Sequence, residues 1–353
     1  MKIAVLLSGG VDSSVALKLL HEQGHELTAF YLKIWLEDET AFLGDCPWEE
    51  DLAYARSVCE KLGVQLRIIP FQKEYYKKVV SYTIAEIKAG RTPNPDIFCN
   101  SLIKFGLFWD AVGKHFDKVA TGHYAQIREV DGVVQLLRAP DPIKDQTYFL
   151  SKLTQDQLKR VLFPIGHLRK SEVRDLAVQF DLPTRDRKDS QGICFLGKLK
   201  FNDFINHYLG ENKGDLIEFE TGNKLGEHRG FWYYTIGQRQ GSGLAGGPWY
   251  VVAKDPQKNH VYLSRNYYSH DKKRDTFEVA NCNWLEGTVP AKSDLQVKLR
   301  HGKQLHDCQV DLHDDDTARI RLADRDQGIA PGQFAVLYDN DRCLGSGVIA
   351  RML

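Results

Sequence analysis

The sequence lacks an excess of charge of either sign. Its 353 residues include 47 lysines and arginines and 47 aspartates and glutamates, so the formal net charge is zero. A protein that coats RNA or DNA with its whole surface would be strongly basic, because it must neutralise many phosphates. That class is therefore excluded, and any contact with nucleic acid has to come from local basic patches.

Long apolar runs and paired cysteines are missing as well. No stretch is long enough to cross a bilayer, and the apolar run KIAVLL is broken by SGG with no cleavage site behind it. The seven cysteines form no CxxC pair and show no zinc-like spacing. We therefore expect a cytoplasmic enzyme with reduced thiols, no membrane partner and no dedicated metal site, whose cysteines are candidates for chemistry.

The first half of the chain alternates between strand patterns and helical patterns. Strands are predicted for KIAVLL, HELTAFYLKIW, VQLRIIPF and DKVATGHYAQI, and the helical patterns between them end at Gly24, Gly63 and Gly90. This alternation predicts an α/β fold with a doubly wound parallel sheet. The stretch QIREVDGVVQLLRA has Asp-Gly between two alternating runs, which predicts a β-hairpin.

Beyond Gly197 the pattern changes. Helical periodicity fades after KFNDFINHYLG, and GFWYYTIGQRQGSGLAGGPWYVVAKD predicts short strands joined by glycine turns. From DTFEVANCNWL onward, short alternating runs predict a small C-terminal β-barrel. We therefore expect three domains: an α/β domain over residues 1–196, a small central domain over 197–265 and the barrel over 266–353.

The stretch SGGVDSS joins the first strand to the first helix. Backbone N–H groups at a helix start are unpaired and favour an anion, and Gly9 and Gly10 allow a phosphate to approach the backbone closely. The string is neither a Walker A loop, which ends in Gly-Lys, nor GxGxxG. The alternative is a tight turn capped by Asp12 or Ser13. Two glycines alone would favour that alternative, but the full string after a buried strand favours an anion site.

The string SGGVDSS resembles the PP-loop of ATP pyrophosphatases, whose nucleotide domain is Rossmann-like. The resemblance implies that ATP is a substrate and is cleaved between the α and β phosphates, so that an oxygen of the second substrate is adenylated. The loop would then hold the leaving pyrophosphate, and Mg²⁺ is expected with the nucleotide.

Two cysteines lie in surroundings that favour thiolate. In RTPNPDIFCNSLIKF, Cys99 follows two prolines at the predicted start of a helix, and in KDSQGICFLG, Cys194 lies between glycines in a basic stretch. Helix starts and nearby cations lower the pKa of a thiol. For the other cysteines we expect small buried hydrophobic side chains at Cys59, Cys308 and Cys343, and we assign no role to Cys46 and Cys282.

The order of several motifs is similar to that of the tRNA-specific 2-thiouridylases, from the PP-loop nearly to the C-terminus. These motifs are AGRTPNPDIFCN, ATGHYA, KDQTYFL, KDSQGICFLG, YTIGQRQG, PWYVV and CLGSGVI. The family converts uridine to 2-thiouridine at the wobble position of certain tRNAs. The resemblance implies adenylation of the uridine O2, sulfur transfer from a cysteine persulfide, and release of AMP and pyrophosphate.

The resemblance also implies residue roles. Cys194 would carry the persulfide, delivered by a sulfur-donor protein, and attack on it by Cys99 would leave a Cys99–Cys194 disulfide; Asp96 and Asp12 would complete the catalytic set. ATP would contact Leu7, Ser8, Gly9, Gly10, Val11, Asp12, Ser13, Ser14, Leu32 and Gly122. The target base would meet Asn94, Pro95 and Asp96. The rest of the tRNA would meet His123, Lys144, Asp145, Gln146, Arg300, His301 and Gln333.

The residues alone leave alternatives open. Asp96 fits a turn or helix cap almost as well as a catalytic role. Lys144 and Gln146 suit phosphate or base contacts but also a solvated loop, and His123 suits a ligand contact at a strand end or a structural role. Aromatic side chains such as Trp232, Tyr233 and Tyr234 suit base stacking or core packing. The rival functions are an amidotransferase-like synthetase on the same fold and a non-catalytic RNA-binding module.

Overall fold

The computed structural model describes residues 1–34, 48–189, 201–272, 274–314 and 316–353. The N-terminal sheet contains five parallel strands in the order β3-β2-β1-β4-β7. The strands of this half of the chain are β1 (Lys2–Leu6), β2 (Glu26–Lys33), β3 (Gln65–Pro70), β4 (Lys118–Ala120), the hairpin β5 (Ala125–Val130) and β6 (Val133–Arg138), and β7 (Val161–Leu162). The predicted α/β fold with a parallel sheet is confirmed.

Eight helices are described, and two of them contain π-helical segments. They are α1 (Val11–Glu22), α2 (Trp48–Leu62), α3 (72–88, π-helical over Tyr76–Val80), α4 (95–111, π-helical over Cys99–Leu107), α5 (Thr147–Leu150), α6 (Gln155–Leu158), α7 (Lys170–Gln179) and α8 (Phe201–Leu209). Short 3₁₀ turns lie at Gly113–His115, Phe231–Tyr233 and His270–Lys272. Within the described ranges, no helix is long and apolar enough to cross a membrane.

One predicted strand is two strands. The stretch DKVATGHYAQI was expected to form a single strand, but β4 ends at Ala120 and β5 begins at Ala125. The chain turns at Thr121–Tyr124, leaves the parallel sheet and enters the predicted hairpin, whose turn has positive φ at Asp131 (50°) and Gly132 (79°). The hairpin then joins a second sheet, since Leu136 of β6 is the register partner of Cys343.

The central domain has a four-stranded sheet in the order β10-β11-β8-β9. Its strands are β8 (Gly214–Glu218), β9 (Lys224–His228), β10 (Tyr250–Asp255) and β11 (His260–Ser264). In the stretch GFWYYTIGQRQGSGLAGGPWYVVAKD, only β10 is a strand, so the expected series of short strands is wrong. Positive φ angles prevent extended backbone there, at Gly237 (87°), Gly241 (95°), Gly243 (68°) and Gly246 (71°).

The C-terminal domain is the predicted β-barrel. Six antiparallel strands close in the order β12-β15-β14-β13-β16-β17 and back to β12. They are β12 (Arg274–Trp284), β13 (Asp294–Lys298), β14 (His306–Leu312), β15 (Ala318–Asp326), β16 (Phe334–Asp339) and β17 (Arg342–Met352). Alternate residues of each strand fill the barrel with apolar side chains, including Phe277, Val297 and Ile320, each 0% exposed.

Candidate active site

The PP-loop lies between β1 and α1. Gly10 is the N-cap of α1 with extended backbone (φ −83°, ψ 163°), and among the described residues no side chain caps this helix. The capping alternative with Asp12 or Ser13 is therefore wrong. The hydroxyls of Ser13 and Ser14 instead donate to the Gly10 carbonyl at 3.2 and 2.8 Å. This leaves the helix start open to an anion such as phosphate.

Two glycines allow neighbouring segments to touch the PP-loop. A Cβ at Gly9 would lie 2.1 Å from the Asp51 carbonyl oxygen, and a Cβ at Gly122 would lie 2.6 Å from the Ser13 nitrogen. Gly122 follows β4, and β4 and β2 flank β1. The predicted ATP contacts in Leu7–Ser14 and at Gly122 therefore meet at the carboxyl ends of adjacent strands, where open α/β sheets bind ligands. Leu32 lies near the same end of β2.

We predict that Gly9→Ala impairs ATP binding and that Gly24→Ala does not. Both glycines have positive φ (77° and 74°), but a Cβ at Gly24 meets nothing within 4 Å. The backbone penalty of roughly 1–2 kcal/mol is therefore shared, and only Gly9→Ala adds a collision with α2. Calorimetric titration with ATP should give at least about tenfold weaker binding, or about 1.4 kcal/mol, for Gly9→Ala. Equal affinities of the two variants would contradict the packing argument.

A lysine that the sequence did not single out stands beside the PP-loop. Lys170, at the start of α7, places its Nζ 2.7 Å from Asp12 Oδ1 and 2.9 Å from Asp189 Oδ1. The Tyr124 hydroxyl donates to the same Asp12 oxygen at 2.8 Å. The ammonium of Lys170 is therefore held at the helix start by two carboxylates, close to the place that favours an anion.

Asp189 forms ion pairs with several basic side chains. Lys144 lies 2.7 Å from its Oδ2, and Arg174 also pairs with it. Partial burial raises the pKa of Asp189, but hydrogen bonds from Lys144 and Lys170 and their charges outweigh burial and hold the pKa well below its ordinary value. The carboxylate is thus ionised and links the predicted tRNA contact Lys144 to Lys170 at the PP-loop.

Arg187 is a second residue that the sequence reasoning missed as a site residue. Its guanidinium donates to the Gly9 carbonyl at 2.7 Å and to Asp51 Oδ1 at 2.6 Å. It therefore joins the PP-loop to the start of α2. The sequence shows that Arg187 belongs to a basic stretch. It does not show that Gly9 is the partner of Arg187, because Gly9 lies 178 positions earlier.

The predicted base-binding residues open α4. Asn94 is the N-cap and accepts a hydrogen bond from the Ile97 N–H at 3.4 Å, so Asp96 lies in the first turn and is not the cap. Cys99 lies one turn further along, at the start of the π-helical segment, and is 1% exposed. Cys194 and Cys46 lie outside the described residues, so the meeting of Cys99 and Cys194 stays a prediction.

The start of α4 docks on the barrel. The Thr92 N–H donates to the Pro331 carbonyl at 2.8 Å, and the Tyr148 hydroxyl donates to the Phe334 carbonyl at 3.1 Å. Between Pro331 and Phe334 lies Gln333, whose buried Oε1 has no hydrogen-bond partner among the described residues. The residues predicted to meet the base, Asn94, Pro95 and Asp96, therefore lie next to Gln333, a predicted tRNA contact whose side-chain oxygen can still accept a hydrogen bond.

Arg300 and His301 belong to the same junction. The His301 ring stacks on Phe149, with ring centroids 4.7 Å apart and planes at 28°. Burial lowers the pKa of His301, and the charge of Lys298 adds to this. Arg300 pairs with Asp326 and its side chain stays 45% exposed. Of the two residues Arg300 and His301, Arg300 presents a charge to solvent.

In the segment Lys144–Gln146, Asp145 is buried, whereas Lys144 and Gln146 are partly exposed. The Asp145 carboxylate is 0% exposed and lies 2.6 Å from Lys298 Nζ, which is also 0% exposed. Gln146 Oε1 accepts a hydrogen bond from the Tyr124 N–H at 3.0 Å. The Asp145 carboxylate is thus not accessible for the expected direct contact with tRNA, because it forms a buried ion pair with Lys298 that holds the segment in place.

His123 is also internal. It is 9% exposed, its Nδ1 lies 2.7 Å from the Thr121 hydroxyl, and its ring packs near Phe105 and Phe163. Burial, together with the charge of Lys104, lowers the pKa of His123 well below its ordinary value. A neutral, enclosed imidazole fits the structural alternative better than a direct tRNA contact.

Two of the aromatic side chains that suit either base stacking or core packing also lie inside the protein. Tyr233 and Tyr234 are each 7% exposed and pack in the core.

We predict that Asp145→Asn lowers the free energy of unfolding by about 3–5 kcal/mol, because it leaves the buried Lys298 charge unpaired. Urea denaturation would measure this loss. Glu26→Gln is the matched control, since it removes a solvent-exposed pair with Lys2 (side chains 72% and 46% exposed) and should cost at most about 1 kcal/mol. A similarly small loss for Asp145→Asn would show that the buried pair is not needed.

The fold and the site together define the class of protein, a nucleotide-binding α/β enzyme of the PP-loop type. The defining features are the parallel sheet, the open helix start with its glycines, and the lysine between two carboxylates. Residues 1–198 match the family described as tRNA methyl transferase HUP domain, residues 202–265 its PRC-barrel domain, and residues 274–349 the aminomethyltransferase beta-barrel domain.

Across the described residues, no group of three or more His, Cys, Asp or Glu side chains is placed to hold a metal ion.

Full-length relatives specify the family. The chain is 46% identical to the tRNA-specific 2-thiouridylase MnmA of Parabacteroides distasonis, with 99% of each chain covered. It is 48% identical to a protein of the same name, MnmA 2, from Bacteroides fragilis, with 99% of this chain and 100% of the relative covered. Among solved structures, NMN synthetase from Francisella tularensis matches with a TM-score of 0.35 and 19% identity over 54% of this chain and 66% of that chain. The chain belongs to the tRNA-specific 2-thiouridylase family.

Proposed function

We propose that the protein thiolates uridine at C2 in the wobble position of tRNA, using ATP and releasing AMP and pyrophosphate. The observation that supports this proposal is the direct link between the segments proposed to meet ATP and tRNA. The Tyr124 hydroxyl binds Asp12 of the PP-loop while the Tyr124 N–H binds Gln146. Asp189 in turn binds both Lys170 and Lys144. A nucleotide at the PP-loop therefore lies next to the segment proposed to meet tRNA.

Adenylation would use the PP-loop and Lys170. The uridine O2 attacks the α-phosphorus, the bond from that phosphorus to the bridging oxygen breaks, pyrophosphate leaves with the electron pair, and the N3 proton of the uridine passes to solvent. Negative charge develops on the leaving group, where the open N–H groups of α1 and the Lys170 ammonium stabilise it.

Mg²⁺ is proposed to accompany the nucleotide. The carboxylates beside the PP-loop, Asp12 and Asp189, are both paired with Lys170, and they are the residues that would hold the ion together with the nucleotide phosphates. Mg²⁺ is commonly bound in this way at phosphate sites. When bound, it would neutralise phosphate charge.

Sulfur transfer would use the two cysteines. The terminal sulfur of a Cys194 persulfide attacks C2, AMP leaves, and C2 is then joined to Cys194 through two sulfurs. The Cys99 thiolate attacks the Cys194 sulfur, the bond between the two sulfurs breaks, and the tRNA keeps the terminal sulfur. The resulting Cys99–Cys194 disulfide needs an external thiol for reduction, and a donor protein supplies the next persulfide. Because Cys99 is buried in this structure, the step requires a local rearrangement of α4.

The remaining assignments follow the same scheme. We propose that residues 1–196 carry ATP and thiol chemistry, that residues 197–265 connect the domains, and that residues 266–353 contribute Arg300, His301 and Gln333 to tRNA binding. Asn94, Pro95 and Asp96 would contact the target base, which is already unpaired in an anticodon loop. Because tRNA is the substrate, we place the reaction in the cytoplasm.

The test combines product and nucleoside analysis. The protein is incubated with ATP, unmodified tRNA and a persulfide donor, and we expect AMP, pyrophosphate and a nucleoside in which sulfur replaces oxygen. Release of ADP and phosphate would contradict the PP-loop assignment. A nucleoside carrying a new methyl or amino group would exclude sulfur transfer, and tRNA binding without pyrophosphate release would favour the non-catalytic alternative.

A further inference from the structure

A tyrosine at the edge of the central domain is unusually exposed. Tyr268 follows β11 and is 68% exposed, although its neighbour Tyr267 is 8% exposed. Tyrosine is enriched at interfaces, because its ring combines a large apolar face with a polar hydroxyl group. Tyr268 has no part in the adenylation or sulfur-transfer steps.

Two other rings hold Tyr268 in place. Tyr250 and Tyr267 stack on each other at 4.8 Å with planes at 14°. Tyr268 meets them at 5.9 and 5.3 Å, with interplanar angles of 70° and 78°. Neither neighbour therefore lies parallel on a face of the Tyr268 ring. The two contacts restrict the Tyr268 ring, so less conformational entropy is lost when a ligand stacks on it.

Two partly exposed arginines are linked to the segment that carries Tyr268: Arg265 lies three positions before it, and Arg325 binds His270, two positions after it. The Arg265 guanidinium lies 4.9 Å from the Trp249 ring, and its side chain is 56% exposed. Arg325 donates to the His270 ring at 2.9 Å and also pairs with Asp275 at 3.1 Å. Although carboxylates are also present, these half-exposed arginines give the surface a means to contact a phosphate backbone.

The same surface is continuous with the proposed tRNA site. His270, two residues after Tyr268, is bound by Arg325 at 2.9 Å, and Asp326, the residue after Arg325, pairs with Arg300. A nucleic acid that touches Arg300 therefore lies close to the segment that carries Tyr268.

We propose that Tyr268, supported by Tyr250 and Tyr267, is a stacking platform for an unpaired base of the bound tRNA. This inference rests on the proposed function, since it adds a contact for the same substrate. Stacking on a tyrosine face tolerates any base, and single-stranded RNA is commonly held by aromatic rings combined with arginines. A protein partner such as the sulfur donor is the competing occupant.

The test compares Tyr268→Ala, Tyr268→Phe and Arg300→Ala in tRNA-binding titrations over a range of salt concentrations. Loss of one stacked base should weaken tRNA binding by about 5- to 150-fold for Tyr268→Ala, while Tyr268→Phe keeps the ring and binds like the wild type. The salt dependence should be unchanged in Tyr268→Ala, because no phosphate contact is lost, and shallower in Arg300→Ala. Because Tyr268 is exposed, both Tyr268 variants should melt like the wild type.

The outcomes separate the platform from the proposed function. Wild-type protein that binds no tRNA would overturn the proposed function itself. Wild-type binding with equal affinity in Tyr268→Ala would overturn the platform alone. Unchanged tRNA affinity with slower thiolation only when the donor protein supplies sulfur would assign the surface to that protein and reject the base-stacking proposal.

Discussion

Lys170→Met is expected to slow adenylation of tRNA by about 100- to 1000-fold, the range found when one preorganised donor to a developing negative charge is removed. Lys170 Nζ is held 2.7 Å from Asp12 at the PP-loop and is only 13% exposed on its side chain. Removing it leaves the Asp12 carboxylate without its lysine partner, so that Asp12 repels the phosphates, whereas Asp189 keeps Lys144 and Arg174. Single-turnover release of pyrophosphate at saturating ATP and tRNA is the measurement.

The matched control for Lys170→Met is Lys61→Met. Lys61 is also ion-paired, at 2.7 Å to Asp181, but this pair lies between the end of α2 and the end of α7, away from the PP-loop. We expect pyrophosphate release at the wild-type rate in Lys61→Met. If Lys170→Met also kept that rate, or lost tRNA binding in proportion to its rate, Lys170 would have no specific role at the leaving pyrophosphate.

The second large effect concerns the thiols. Cys99→Ala should abolish thiolation while pyrophosphate is still released and sulfur is still loaded on Cys194. Cys194→Ser should abolish both sulfur loading and thiolation. Mass spectrometry of each variant after incubation with a persulfide donor, together with nucleoside analysis of the tRNA, distinguishes these results.

Cys59→Ala is the control for the thiol experiment. Cys59 is buried in the N-terminal core, and burial together with Glu60 raises its pKa to about 11, so it is protonated at neutral pH and inert. Thiolation should be retained in this variant. Full thiolation by Cys99→Ala would remove the role proposed for Cys99, and sulfur found on another cysteine in wild-type protein would overturn the assignment of Cys194.

The parts of the molecule that follow local patterns could be predicted from the sequence. The run KIAVLL, followed by SGG and a helical pattern, is a buried strand leading into a helix, and the structure places β1 and α1 there. The Asp-Gly pair likewise specified the hairpin turn, because both residues tolerate positive φ. In each case the decisive interactions lie within a few residues of each other.

The missed features depend on partners that are distant in the chain. Lys170 meets Asp12 across 158 positions, and Lys298 meets Asp145 across 153. No periodicity or spacing reveals that Asp145 is buried by an ion pair from the barrel, and the tRNA contact predicted for it rests on the family resemblance alone. The strand that begins at Lys118 is shorter than predicted for a different reason: the chain turns after Ala120, and β5 pairs with its neighbour β6 and not with the parallel sheet.

The hairpin β5–β6 has a consequence for how the chain can be divided. Residues 136 and 137 of β6 pair with Cys343 and Arg342 of β17, so a strand that is contributed by the N-terminal half completes a sheet of the C-terminal half. A truncated chain that stopped before the barrel would leave β6 with an open edge, which is the kind of surface that drives aggregation. The ATP-binding half is thus not a free-standing module, and gene fusions or split versions of this enzyme must keep the barrel with it.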